Sequence, residues 1–186
     1  MAMVEQLKSN VEFQKRCLNG FDQADRNKNR VLTMPEVLQY AETLKALTGK
    51  TDAEVEPLRD CLREFYGAMG VNNEGVRREV WVENSAIFVA RELERIEAGE
   101  KPVIRHLLDT FFGLVDLNKD DWLSPAEFAI FCKCFEWPED IVPTFFAAAD
   151  TNANGKLEWE EFYNVVISFW YKVDEGHLSK AYGGHF

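Results

Sequence analysis

The chain has 186 residues, enough to bury one large core or two small halves packed face to face. Hydrophobic residues make up 46% and charged residues 28%, while the net charge of -11 leaves no basic stripe to displace phosphate counterions, so nucleic acid is excluded as a partner. Charges recur through the opening segment (Glu5, Lys8, Glu12, Lys15, Arg16, Asp22), and no later stretch reaches the roughly 18 apolar residues of a membrane span, so no membrane partner is expected and the chain reads as cytoplasmic. Cys17, Cys61, Cys132 and Cys134 are too scattered for a disulfide framework and are expected as buried thiols.

Helical periodicity dominates, with Gly and Pro falling between the apolar segments, and the expected fold is all-α. A first helix over 4–24 runs into an Asp/Asn-rich loop, and a second over 34–48 leaves it at Thr33-Met34-Pro35-Glu36, a hydroxyl cap with Pro in the first turn and Glu three residues on. Helices over 53–68 and 78–97 follow, separated by Gly67, Gly70, Asn72, Asn73 and Gly75. The second of these carries Arg91, Glu92, Glu94, Arg95 and Glu97, which read as a solvated face with i,i+4 pairs, and it ends at Gly99 as the link between two halves. A helix over 103–115, a second acidic loop, and a helix over 125–135 starting at Ser124-Pro125-Ala126-Glu127 come next. Helices over 140–149, 159–171 and 175–182 complete the chain, with a third acidic loop between the first two.

The three acidic loops share one spacing. Calcium is a hard cation that takes six to eight oxygens, and a 12-residue loop delivers them from places one, three, five, seven (a main-chain carbonyl) and nine, with a bidentate Glu at twelve. The last loop reads Asp150, Asn152, Asn154, Lys156 by its carbonyl, Glu158 and Glu161, with Gly155 at the sharp turn and Leu157 at the eighth place. The middle loop reads Asp116, Asn118, Asp120, Trp122 by its carbonyl, Ser124 through water and Glu127, with Asp121 where Gly is wanted. The first reads Asp25, Asn27, Asn29, Val31 by its carbonyl, Thr33 and Glu36, with Arg30 in the Gly place. A side chain in the left-handed region costs about 1 kcal/mol, so calcium affinity is expected to fall from the last loop to the middle to the first, giving two to three sites. These are EF-hands, and the spacing from Asp25 to Asp116 leaves room for a missing one between Leu58 and Phe88. No frame through that segment supplies the donors, so it is expected as a degenerate hand retained for pairing. The organisation is then four EF-hands in two pairs, 1–99 and 100–186, around an apolar centre.

No independent catalytic motif is present: His106, His177 and His185 form no ligand cluster, and neither a G-x-S-x-G elbow nor a phosphate-cradling glycine loop occurs. The stretch Ser168-Phe169-Trp170-Tyr171 followed by Ala181-Tyr182-Gly183-Gly184 resembles the last helix and tail of the calcium-regulated photoproteins, which close an apolar cavity around oxygenated coelenterazine. The resemblance covers nearly the whole chain, and TDAEVEPLRDCLREFY, RREVWVEN and TFFAAADTNANGKLE read most like the ctenophore members. Where hydromedusan members carry two cavity histidines this chain has Cys17 and Val166, and their Tyr after the third loop matches Phe131. The resemblance implies ligand contacts from Arg16, Phe88, Phe131, Trp170 and Tyr182, a small-molecule luciferin partner, a monomer, and at most a single-turnover, calcium-triggered oxidation. The competing expectation is a non-luminous calcium buffer or sensor of the sarcoplasmic type, whose aromatic interior is packed core and nothing more.

Overall fold

Asn10 interrupts the first expected helix. The computed structural model describes residues 1–171, so the helix expected over 175–182 and Tyr182 lie outside the described residues. The segment expected as one helix over 4–24 is α1 (Ala2–Ser9) followed by α2 (Val11–Ala24), because Asn10 turns extended and its side chain accepts from Phe13 N–H at 3.0 Å. A capping side chain of this kind starts a new helix even though the apolar spacing runs on. After β1 (Val31–Leu32), the expected 34–48 helix is likewise split at Leu38 into α3 (Met34–Val37) and α4 (Gln39–Thr48), which ends on Gly49 in the left-handed region.

The remaining elements follow the expected order: α5 (Asp52–Ala68), β2 (Val76–Arg77), α6 (Arg78–Glu97), α7 (Val103–Val115), β3 (Trp122–Leu123), α8 (Pro125–Cys134), α9 (Val142–Ala149), β4 (Leu157–Glu158) and α10 (Trp159–Trp170). The helix starts read from Thr33/Glu36 and Ser124/Glu127 are capping boxes, and Thr51/Glu54 makes a third at α5. All four cysteines are free and buried.

The strands are two residues each and pair antiparallel, Leu32 opposite Val76 and Leu123 opposite Leu157. This register locates the silent hand. With Val76 matched to the eighth place of the first loop, the second loop offers Met69, Val71, Asn73, Arg77 and Val80 where the others put oxygen donors. Val71 and Met69 are buried, so the loop is held by apolar contacts where the others have room for an ion. Gly75 is required there: its φ is +85°, and a Cβ would stand 2.5 Å from Val31 Cγ1.

The two pairs face each other, α5 packing along α7 and α4 against α8, so that Phe13, Phe21, Phe111, Phe128, Phe145 and Phe162 are all buried in one continuous core. The Glu/Arg face of α6 is a correction to the sequence reading. Arg91, Glu94, Arg95 and Glu97 are exposed, but Glu92 is buried, and among the described residues no i,i+4 ion pair forms within α6.

Candidate functional site

Each of the three acidic loops is closed on itself by its own donors. The first-place carboxylates lie at the helix ends and accept main-chain N–H groups from places five and six: Asp25 from Asn29 and Arg30, Asp116 from Asp120 and Asp121, Asp150 from Asn154 and Gly155, all at 2.8 to 3.3 Å. The third-place amides repeat one another, with Asn27, Asn118 and Asn152 each accepting the fifth-place N–H. The sixth place is left-handed in every loop, with φ of +68° at Arg30, +65° at Asp121 and +78° at Gly155. Two loops therefore carry the strain that the last avoids, as the Gly departures indicated. The fourth place is left-handed too, at Lys28, Lys119 and Ala153, a demand of the turn that the sequence pattern did not disclose.

The twelfth-place glutamates begin the exiting helices. Glu36 accepts Thr33 N–H at 3.0 Å and Asn27 Nδ2 at 2.7 Å; Glu127 accepts Ser124 N–H and Leu117 N–H; Glu161 accepts Thr151 N–H, Thr151 Oγ1 and Glu158 N–H. Burial pushes the Glu127 carboxyl up, and the bonds from Ser124 and Leu117 outweigh it, leaving it below the usual carboxylate range. The donor chemistry fits a hard divalent cation, and one oxygen asks for it. Asp120 Oδ1 is buried with no hydrogen-bond partner among the described residues, while Oδ2 takes Asn118 Nδ2 at 2.9 Å. An unpartnered buried carboxylate oxygen is costly unless a cation meets it. No group of three His, Cys, Asp or Glu converges among the described residues, since each loop mixes carboxylates with amide, hydroxyl and main-chain oxygens.

Between the two pairs lies a largely apolar cavity of about 90 Å³. Phe88, Phe131 and Trp170, three of the expected ligand contacts, line it together with Cys17, Tyr66, Trp81, Val166 and Tyr171. Its polar groups are few and mostly committed. Trp81 Nε1 donates to the Cys17 carbonyl at 2.9 Å, burial raises the Cys17 thiol to about 12, and burial holds the Tyr66 phenol up at about 12, so both stay neutral. Arg16 is not among the described residues that line the cavity; it is buried, donates from Nη1 to the Phe169 carbonyl and places its guanidinium over the Phe169 ring at 5.1 Å. Sequence reasoning missed Tyr171 and Trp81 as wall residues, because their direction depends on how α10 and α6 meet.

A family profile described as an EF-hand domain pair matches residues 104–167. Berovin from the ctenophore Beroe abyssicola, described as a light-sensitive photoprotein in its Ca2+-loaded apoprotein state, is 33% identical, with 87% of each chain covered and a TM-score of 0.76. The chain belongs to the calcium-regulated photoproteins. A second berovin structure, described as having magnesium in all three Ca2+-binding loops, is 32% identical to this photoprotein over 87% of its length and 88% of berovin's, again at a TM-score of 0.76. Among curated relatives, mitrocomin from Mitrocoma cellularia is 25% identical over 169 residues, 88% of this photoprotein and 84% of mitrocomin. These likenesses favour the photoprotein reading over the non-luminous buffer. No helix among the described residues is long and apolar enough to cross a membrane.

Proposed function

We propose that this photoprotein binds calcium in the loops beginning at Asp25, Asp116 and Asp150, and uses it to change an apolar cavity that holds coelenterazine. The observation that carries the reading is an arrangement of helices. Glu127 and Glu161 stand at the starts of α8 and α10, and the same two helices line the cavity about one turn later with Phe131 and Val166 and about two and a half turns later with Trp170.

The donors in each loop would hold the ion as the spacing requires: two side-chain carboxylates in the first loop and three in each of the others, with Val31, Trp122 and Lys156 offering carbonyls. Coelenterazine, when bound, supplies its own oxidation by O2 and the emission of light. The chain's part is positional. Glu161 accepts N–H groups from Thr151 and Asn152, and an ion held by the loop would draw on the same carboxylate. Since Glu161 is fixed in the first turn of α10, its reorientation carries Val166 and Trp170 with it and alters the cavity wall. Calcium shifts the population of two arrangements by binding one of them more tightly. The aromatic lining excludes water from the ligand and fixes its orientation. The cytoplasmic setting and monomeric state belong to the same proposal.

Incubation of calcium-free protein with coelenterazine and oxygen tests it. A visible absorption band from a bound chromophore, followed by a flash on adding calcium, is the expected result; absence of uptake would contradict the ligand reading while leaving calcium binding to be judged separately.

A further inference from the structure

Seven polar or charged side chains are buried among the described residues: Arg16, Asp25, Ser85, Glu92, Asp116, Glu127 and Glu161. Four belong to the calcium loops, and of the other three only Glu92 is a carboxylate, 1% exposed.

A carboxylate at that depth needs its oxygens met. Glu92 Oε2 accepts Ile104 N–H at 3.0 Å and the Tyr171 hydroxyl at 3.5 Å, the latter at the outer limit of a hydrogen bond. The bond to Ile104 caps α7, whose N-cap Pro102 offers no side-chain acceptor, and fixes the carboxylate against a main-chain donor. Tyr171 is 3% exposed and lines the cavity, whereas Glu92 is not among the described lining residues. The carboxylate therefore reaches the cavity through the phenol.

Three described residues of the wall carry hydroxyls: Tyr66, Ser85 and Tyr171. Ser85 Oγ is 3.9 Å from Met69 Sδ, a weak acceptor, and the Tyr66 phenol is bonded to that of Tyr40. Such partners hold a proton weakly or donate one themselves, so neither hydroxyl is fixed as donor or acceptor. Tyr171 differs, because a carboxylate partner only accepts: its one proton is committed to Glu92, and its oxygen keeps lone pairs alone for anything else. Burial and the adjacent Glu92 keep the phenol protonated, so it remains the donor of the pair.

We propose that Tyr171, oriented by Glu92, is a fixed hydrogen-bond acceptor in the cavity wall and receives a phenolic hydroxyl of the ligand. This deepens the ligand reading given above and rests on it; Tyr171 is the contact and Glu92 the positioning residue. The ligand O–H donates to Tyr171 Oη, and Tyr171 O–H donates to Glu92, a chain in which each bond polarises the next. An acceptor of this kind recognises the hydroxyl and not the ring that carries it. A residue that merely packed would touch both alike.

Benzene and phenol are the probes, since apolar cavities take small rings and these two differ by the hydroxyl alone. Titrated into the full chain and followed by NMR, Tyr171→Phe should weaken phenol at least about fivefold, the ratio one net hydrogen bond sustains, and leave benzene unchanged. Glu92→Gln keeps an acceptor for Ile104 N–H but can also donate to Tyr171, so phenol should weaken by less than in Tyr171→Phe, again with benzene unchanged. Phenol unaffected by Tyr171→Phe, both probes weakened alike, or no phenol binding to the wild type overturns the proposal; both probes weakened alike in Glu92→Gln removes Glu92 from it. Coelenterazine analogues, each lacking one phenolic hydroxyl, supply the arm that depends on the luciferin. One of them should bind about fivefold more weakly than coelenterazine to the wild type and equally well to Tyr171→Phe; the same loss in both proteins is contrary to the proposal. If the wild type takes up no coelenterazine, the ligand reading fails, while the phenol arm still decides Tyr171.

Discussion

Asp120→Asn should have opposite effects on the calcium-free and calcium-loaded protein. Asp120 Oδ1 is buried without a hydrogen-bond partner among the described residues, and Asp116 and Glu127 belong to the same loop. Leaving a buried acceptor unmet costs about 1–3 kcal/mol, and removing the charge should recover the lower end of that range, about 1 kcal/mol. For a chain of this size that corresponds to a rise in melting temperature of about 2–4 °C in the presence of a chelator. The same oxygen is a proposed fifth-place ligand of the third hand, and losing its charge should weaken calcium there by about tenfold to a hundredfold, from the roughly 1.5–3 kcal/mol of a contact to a charged group. Trp122, at the seventh place, is a built-in sensitiser for terbium bound in the same loop, so terbium luminescence competed by calcium reads that hand by itself. A chelator melting temperature that stays level or falls, with an unchanged competition midpoint, would show that Asp120 is not waiting for a cation.

Removing the clamp in turn by Glu161→Gln, Glu127→Gln and Glu36→Gln should each abolish one calorimetric site, and the strongest site should vanish with Glu161, since its loop has Gly155 where the others hold Asp121 and Arg30 in the left-handed region. The Arg78 guanidinium, in two 2.7 Å bonds, holds the Asp22 carboxyl below its usual 3.8, so its contribution is present above that value and fades as pH falls through the lower folded one. Asp22→Asn should therefore cost about 0.5 kcal/mol at neutral pH, the pair being partly exposed, and thermal melts of the two proteins should converge as the pH falls through the lowered pKa of the folded carboxyl. Gly20→Ala would bring a Cβ within 3.2 Å of Trp170 Cη2. The helix gains about 1 kcal/mol from the substitution, so melting should hold or rise while coelenterazine uptake, followed by absorbance, falls severalfold as the ring is displaced; equal uptake would remove Trp170 from the ligand site.

What the sequence disclosed was whatever is encoded locally. Loop spacing, the Glu that opens each exiting helix and the capping boxes at Thr33 and Ser124 depend on residues a few positions apart, and each recurs in the structure where it was read. The silent second hand was legible as an absence of donors, but its frame needed the pairing of Val76 with Leu32. Asn10 and Leu38 were illegible as helix breaks, since the apolar period continues across them; a single cap decides the first, and at Leu38 the backbone stays right-handed with no capping side chain. Glu92 was read as surface because its helix looks charged all along; its partners, Ile104 N–H and Tyr171, are set by how α7 and α10 come together. Arg16 shows the same limit in reverse: its place on the first helical stretch was legible, and its partner at Phe169 was not.

Calorimetric titration of the metal-free chain with calcium addresses the central claim most directly. Three bound calcium ions per chain, with the weakest lost in Glu36→Gln, is the predicted result; no heat at millimolar calcium, or a fourth ion requiring the loop around Asn73, would contradict the account.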